Sequence, residues 1–82
     1  MAAEEAMELT IPDLGAVQEV TFLRWLKGEG DAVEVGEAVA EVEADKAVFV
    51  IEAPAAGVLR ALTARAGQRL PPGAKIGEIQ PE

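Results

Sequence analysis

The stretch Glu41-Val42-Glu43-Ala44-Asp45-Lys46-Ala47-Val48-Phe49-Val50-Ile51-Glu52 sets two strand-like apolar runs around a polar centre. Such a pattern reads as a β-hairpin with its tip at Ala44-Asp45-Lys46-Ala47, because an Asp side chain can bond back to the following backbone as turn residues do. A tight turn of this kind projects Lys46 away from the body of the protein. An ammonium group has no free lone pair, so a tip lysine acquires chemistry only if another enzyme acylates it. From the turn alone, a solvated surface lysine is the simpler reading.

Outward from the hairpin, turn signals recur at short spacing: Pro12-Asp13-Leu14-Gly15, Gly28-Glu29-Gly30-Asp31, Gly36, Pro54 to Gly57, Gly67 and Pro71-Pro72-Gly73. Between them lie short runs rich in β-branched and aromatic residues, among them Leu9-Thr10-Ile11, Val20-Thr21-Phe22, Val39 to Val42 and Ile76 to Ile79. These features predict one small all-β unit. Alanine is abundant, but proline and glycine interrupt every window long enough for a stable helix. Residues 1–6 are expected to be a disordered extension, 7–80 the folded domain and 81–82 the start of a linker.

Sliding the chain against itself by 37 residues pairs Gly30–Glu43 with Gly67–Gln80. Gly30 falls on Gly67, Gly36 on Gly73 and Glu41 on Glu78, while Val33, Val39 and Val42 meet Leu70, Ile76 and Ile79. The same offset carries Phe22 onto Leu59 and Trp25 onto Leu62. Turn glycines and apolar positions thus agree together, which implies a duplicated β unit with pseudo-two-fold symmetry, its halves packed against each other. Pro12 matches Pro54 at an offset of 42, so the first half carries 5 more residues, around Asp13 to Gln18. A longer loop on a small scaffold is a frequent site of function, and equally an ordinary surface insertion.

Composition narrows the chemistry. The 82 residues contain no Cys, His, Ser, Tyr or Asn, which removes zinc sites built on Cys or His and the usual nucleophile and base pairs. Sixteen of the 41 hydrophobic residues are Ala, so the core must be thin. A net charge of −8 opposes nucleic-acid binding and favours solubility and steering toward basic partners. No apolar run approaches the ~20 residues of a membrane span, and Met1 to Ala6 are neither basic nor apolar enough to be read as a signal or transit peptide. A cytoplasmic, bacterial protein is expected, and the lack of Cys and Asn fits a thermophilic source. Glu41, Glu43 and Glu52 alternate along strands without the spacing of a Ca²⁺ loop, and no metal site is expected. Lys27 and Lys75 read as solvated surface charges, and Phe22, Trp25 and Phe49 as core.

Taken in order, Pro12-Asp13-Leu14-Gly15, Trp25-Leu26-Lys27-Gly28-Glu29-Gly30-Asp31, Asp45-Lys46-Ala47 and Pro54-Ala55-Ala56-Gly57 closely resemble the lipoyl domain of the acyltransferase (E2) component of 2-oxo acid dehydrogenase complexes. The resemblance covers Met7 to Ile79. It implies a flattened β-barrel, or sandwich, of two four-stranded antiparallel sheets related by a pseudo-two-fold axis. It also implies covalent lipoate on Lys46, with Asp45 and Ala47 flanking the lysine for recognition of the tip. A lipoate-attaching enzyme would load the domain. The E1 decarboxylase would then acylate it, the E2 catalytic domain would pass the acyl group to CoA, and the E3 dihydrolipoamide dehydrogenase would reoxidise it. The domain itself would be a non-catalytic, monomeric carrier within a longer acyltransferase. By the same resemblance, the loop Asp13, Leu14, Gly15, Ala16, Val17 and Gln18 lies beside the hairpin and helps partners recognise it. Family members often read Pro-Asp-Leu-Gly-Glu-Gly, whereas Ala16 and Val17 follow Gly15 here.

Three other classes deserve comparison. A biotin carrier shares the fold and a hairpin lysine, but that family usually has Met on both sides of the lysine. An acyl carrier protein attaches its arm to Ser, which is absent. A plain β interaction module would fit composition alone.

Overall fold

Short β-branched runs between turn glycines fold as eight strands in the computed structural model, which describes residues 6–15 and 17–81. They are β1 (Met7–Thr10), β2 (Val20–Trp25), β3 (Ala32–Val33), β4 (Ala38–Ala44), β5 (Ala47–Glu52), β6 (Gly57–Arg60), β7 (Arg69–Leu70) and β8 (Lys75–Gln80). Two four-stranded antiparallel sheets result, ordered β1-β8-β6-β3 and β5-β4-β2-β7. This is the expected all-β architecture. Residues 1–5, assigned from sequence to a disordered extension, together with Ala16 and Glu82, lie outside the described residues.

The repeat read from sequence is visible bond by bond. Gly30 N–H donates to Leu59 O, and its mate Gly67 N–H donates to Phe22 O, the mate of Leu59. Leu26 to Val39 is matched by Thr63 to Ile76, and Gly36 to Ala53 by Gly73 to Ile11. Side chains follow: Asp31 caps Gly28 N–H at 2.7 Å, and Gln68 caps Arg65 N–H at 3.0 Å.

The halves do not, however, each make their own sheet. β1 and β3 of the first half join β6 and β8 of the second in one sheet, and β5 and β7 of the second half join β2 and β4 of the first in the other. A two-residue strand buries too little to hold a place alone, so each is stitched to the opposite half. The exchange interlocks the repeats.

Phe22, Leu9, Ile11, Leu59, Ile76, Ile79, Val20, Val39 and Val42 are fully buried, and no polar or charged residue among those described is buried. Most belong to mated pairs, so one thin core lies on the pseudo-two-fold axis. Burial of a large aliphatic side chain contributes roughly 1.5–3 kcal/mol, which makes these positions the main support of so small a domain.

Gly57 corrects the sequence reading. It belongs to β6 and not to a turn, and its backbone passes so near the end of β8 that a Cβ there would collide with Gln80 O and lie 2.8 Å from Ile79 Cγ2. Glycine is required there by proximity to a neighbouring strand, a condition a linear pattern of turn residues does not reveal.

Candidate functional site

β4 and β5 are joined by two residues, with Ala44 paired to Ala47. Asp45 (φ 51°) and Lys46 (φ 69°) both occupy the left-handed region, the conformation of a type I′ turn, whose twist matches that of the flanking strands. Asn-Gly or Asp-Gly usually fills such a turn, so a lysine at its second position carries backbone strain. The register holds through Glu43–Val48, Val42–Phe49 and Glu41–Val50, and Phe49 packs on the core beneath the tip. Lys46 is therefore an exposed amine on a stiff, two-strand mount.

The other lysines are engaged. Lys27 Nζ lies 3.1 Å from Glu37 Oε2 and Lys75 Nζ 2.6 Å from Glu78 Oε2, so both are surface charges, each with a carboxylate partner. The hydrogen bond to Glu37 holds the Lys27 amine above the usual lysine range, and the bond to Glu78 does the same for Lys75. Glu37 is held below the usual carboxylate range, first by accepting the Glu34 N–H at 2.9 Å and then by Lys27. Among the described residues no ion pair involves Lys46.

The segment between β1 and β2 runs over residues 11–19, against 53–56 between their mates, β5 and β6. Its first turn is closed by Gly15 N–H donating to Asp13 Oδ1 at 3.0 Å, with Gly15 at φ 84°. Leu14 and Val17 pack partly on the core, and with Gln18, Glu19 and Asp45 they line an open groove of about 580 Å³. The loop thus reaches the hairpin tip, bringing Leu14, Val17 and Gln18 of the expected set against Asp45, whereas Asp13 and Gly15 do not line the groove. Ala16 of that set lies outside the described residues.

Sequence reasoning passed over Glu19, the fourth loop residue of this groove, and the outward residues of β5. Val48 and Val50 are 56% and 46% exposed, on the strand that leaves Lys46. Alternation within β5 was the available signal, hidden by an unbroken apolar run.

The model of the biotin/lipoyl attachment family, described as biotin-requiring enzyme, matches residues 7–79. The chain belongs to this family. It is 39% identical over 79 residues to the acetyltransferase component of the pyruvate dehydrogenase complex of Mycobacterium tuberculosis, and 35% identical over 75 residues to the succinyltransferase component of the 2-oxoglutarate dehydrogenase complex of Rickettsia typhi. An acetyltransferase component of the acetoin cleaving system of Pseudomonas putida is 40% identical over 72 residues. These matches cover 95%, 90% and 87% of this chain but only 14%, 19% and 20% of the relatives. A solved lipoyl domain of the Azotobacter vinelandii 2-oxoglutarate dehydrogenase complex superposes with a TM-score of 0.68 at 26% identity, covering 87% of this chain and 94% of that one. Within the attachment family, this chain is homologous to the lipoyl domains of E2 components.

Proposed function

We propose that this domain is a lipoyl carrier, that Lys46 is the attachment residue, and that it serves the acyltransferase of a 2-oxo acid dehydrogenase or related complex. The observation that carries the reading is the type I′ tip, which holds one exposed amine at the end of a two-strand mount. Bound lipoate supplies a dithiolane that takes up an acyl group with two electrons at one active site and releases them at others. Attachment makes an amide between Lys46 Nζ and the carboxyl carbon of an activated lipoate. The ammonium gives up two protons and the activating group leaves.

The chain's own part is mechanical and electrostatic. Asp45 and Ala47 bracket the amine and fix its direction, while Phe49 and Val42 anchor the strands behind it. The groove formed by Leu14, Val17, Gln18, Glu19 and Asp45 supplies the tip with a specific neighbour that a decarboxylase can recognise. The soluble, acidic body keeps the carrier from adhering to other proteins, and tethering within a longer acyltransferase keeps the arm at high effective concentration near successive sites. Cytoplasmic placement, partnership with E1, E2 and E3, a non-catalytic role for the domain and an acyltransferase parent belong to the same reading. The relatives' names span acetyl and succinyl transfer and acetoin cleavage, so the acyl group served is set elsewhere in the parent.

Intact-mass measurement after exposure to a lipoate-attaching enzyme, and separately to a biotin ligase, tests the reading. One lipoyl increment, lost in Lys46→Arg, is expected. Biotin incorporation instead, or lipoylation persisting in that variant, would sink it.

A further inference from the structure

Of the four strands at sheet edges, β3 and β7 are two residues long and β1 is four, and the pairings of β1 and β5 each contain one register shift, at Leu9/Thr10 and at Ala38/Ala40 of β4. β5 is six residues long and reads Ala-Val-Phe-Val-Ile-Glu. It has none of the lysines, prolines or bulging glycines with which exposed edges are usually blunted. Ala44 and Ala47 close the hairpin as a hydrogen-bonded pair, so Val42–Phe49 is the next such pair and Glu43–Val48 and Glu41–Val50 are not. The N–H and C=O groups of Val48 and Val50 therefore point away from β4, toward the open edge. Their side chains stand exposed on the outer face, opposite Glu43 and Glu41. Along the same edge an open groove of about 410 Å³ separates β5 from β1, lined in part by Val50, Ile51, Leu9 and the half-exposed Met7.

We infer that the β5 edge, with Val48 and Val50 at its centre, is the docking strand for the enzyme that attaches lipoate to Lys46, which adds an extended segment to this sheet. The inference rests on Lys46 being the attachment residue. Reach selects the occupant. An attaching enzyme must bring its activated carboxyl to Lys46 Nζ itself, within one lysine side chain of the backbone, so the strand that starts at Ala47 lies inside its footprint. A decarboxylase, whose recognition is assigned above to the groove at Leu14, Val17, Gln18, Glu19 and Asp45, reacts with the far end of the lipoyl arm and need not cover β5. Charge defines the partner strand: Glu43, Asp45 and Glu52 frame the edge while Glu41 is paired with Arg24 at 2.7 Å, so basic residues flanking an apolar centre are its complement.

Two variants test this. Val50→Pro removes one edge-facing N–H without breaking a bond to β4, and the double variant Val48→Lys, Val50→Lys reverses the apolar and electrostatic match while keeping the backbone donors. Thermal unfolding of each is measured first, so that lipoylation is compared only between folded proteins. A purified lipoate–protein ligase, with lipoate and ATP, should lipoylate both with kcat/KM lowered about tenfold or more, chiefly through KM. Acylation of the lipoylated variants by the E1 decarboxylase should change by less than about twofold. Unchanged lipoylation, an equal loss in both assays, or a loss confined to E1 would each overturn the inference. Failure of the wild-type domain to accept lipoate would instead overturn the assignment of Lys46.

Discussion

Trp25 donates its indole N–H to the carbonyl oxygen of Ala64 across 39 residues of sequence, at 3.0 Å. The bond ties the end of β2 to the loop that follows β6, and the ring also meets Phe22 with centroids 5.1 Å apart. One side chain therefore links the two repeats where their symmetry is broken, since its mate is Leu62. Trp25→Phe keeps an aromatic ring but leaves the Ala64 carbonyl without that donor and reduces packing. A loss of about 1–2 kcal/mol is expected, measured by calorimetric unfolding.

Gly57→Ala should be more damaging than its single methyl group suggests. The obstacle is the Gln80 backbone, which cannot rotate aside as a side chain can. A cost of about 2 kcal/mol or more is expected in urea denaturation, with loss of the β6–β8 pairing seen as faster amide exchange at Val58 and Arg60, which alternate with Leu59 and face β8. Wild-type-like stability would mean that the two strands do not approach so closely.

Ala61, just after β6, has φ 54° without being glycine. Ala61→Gly relieves that strain while adding freedom to the unfolded chain, and a net gain of up to about 1 kcal/mol is expected. The urea midpoint should rise with an unchanged slope.

Lys46→Gly removes the attachment amine and at the same time places the preferred residue at the second position of a type I′ turn. The variant should accept no lipoate yet unfold at a higher temperature than the wild type, with a gain again of up to about 1 kcal/mol. A fall in stability would show that the tip lysine carries no backbone strain.

Glu37 gives the stability curve part of its acid limb. Its carboxyl titrates below the ordinary value of 4.5 in the folded state, so its contribution is present above that value and disappears as pH falls through the lowered one. Lys27 behaves in the opposite sense, contributing below 10.5 and losing the contribution as pH rises through its raised value. Glu37→Gln should flatten both limbs of midpoint against pH. Because the pair is at the surface, the effect should shrink in high salt.

Much of this architecture was legible because it is written twice. Gly30 and Gly67, Gly36 and Gly73, and Phe22 and Leu59 keep their spacing, and spacing is a property of the chain itself. The hairpin at Asp45-Lys46 was equally plain, since a two-residue turn between apolar runs is a local feature. β3, β6 and β7 were not legible: two of them are two residues long, and the third opens with a glycine that reads as a turn. Their strand character comes from partners far away in sequence. The open edge of β5 was hidden for a related reason, because the run Val48 to Ile51 looks fully buried until one of its two sides proves to have no neighbouring strand.

By itself, the sequence determined the duplicated β unit, the five-residue excess after Pro12 and the lysine at the hairpin tip. All three follow from local turn chemistry and the periodicity of apolar residues. Only the tertiary structure decided that β3 and β7 are exchanged between the halves, that the loop reaches Asp45, and that Val48 and Val50 face an open edge. These are relations between segments, fixed when two thin apolar faces close on each other and force each short strand to find its hydrogen bonds in the opposite repeat.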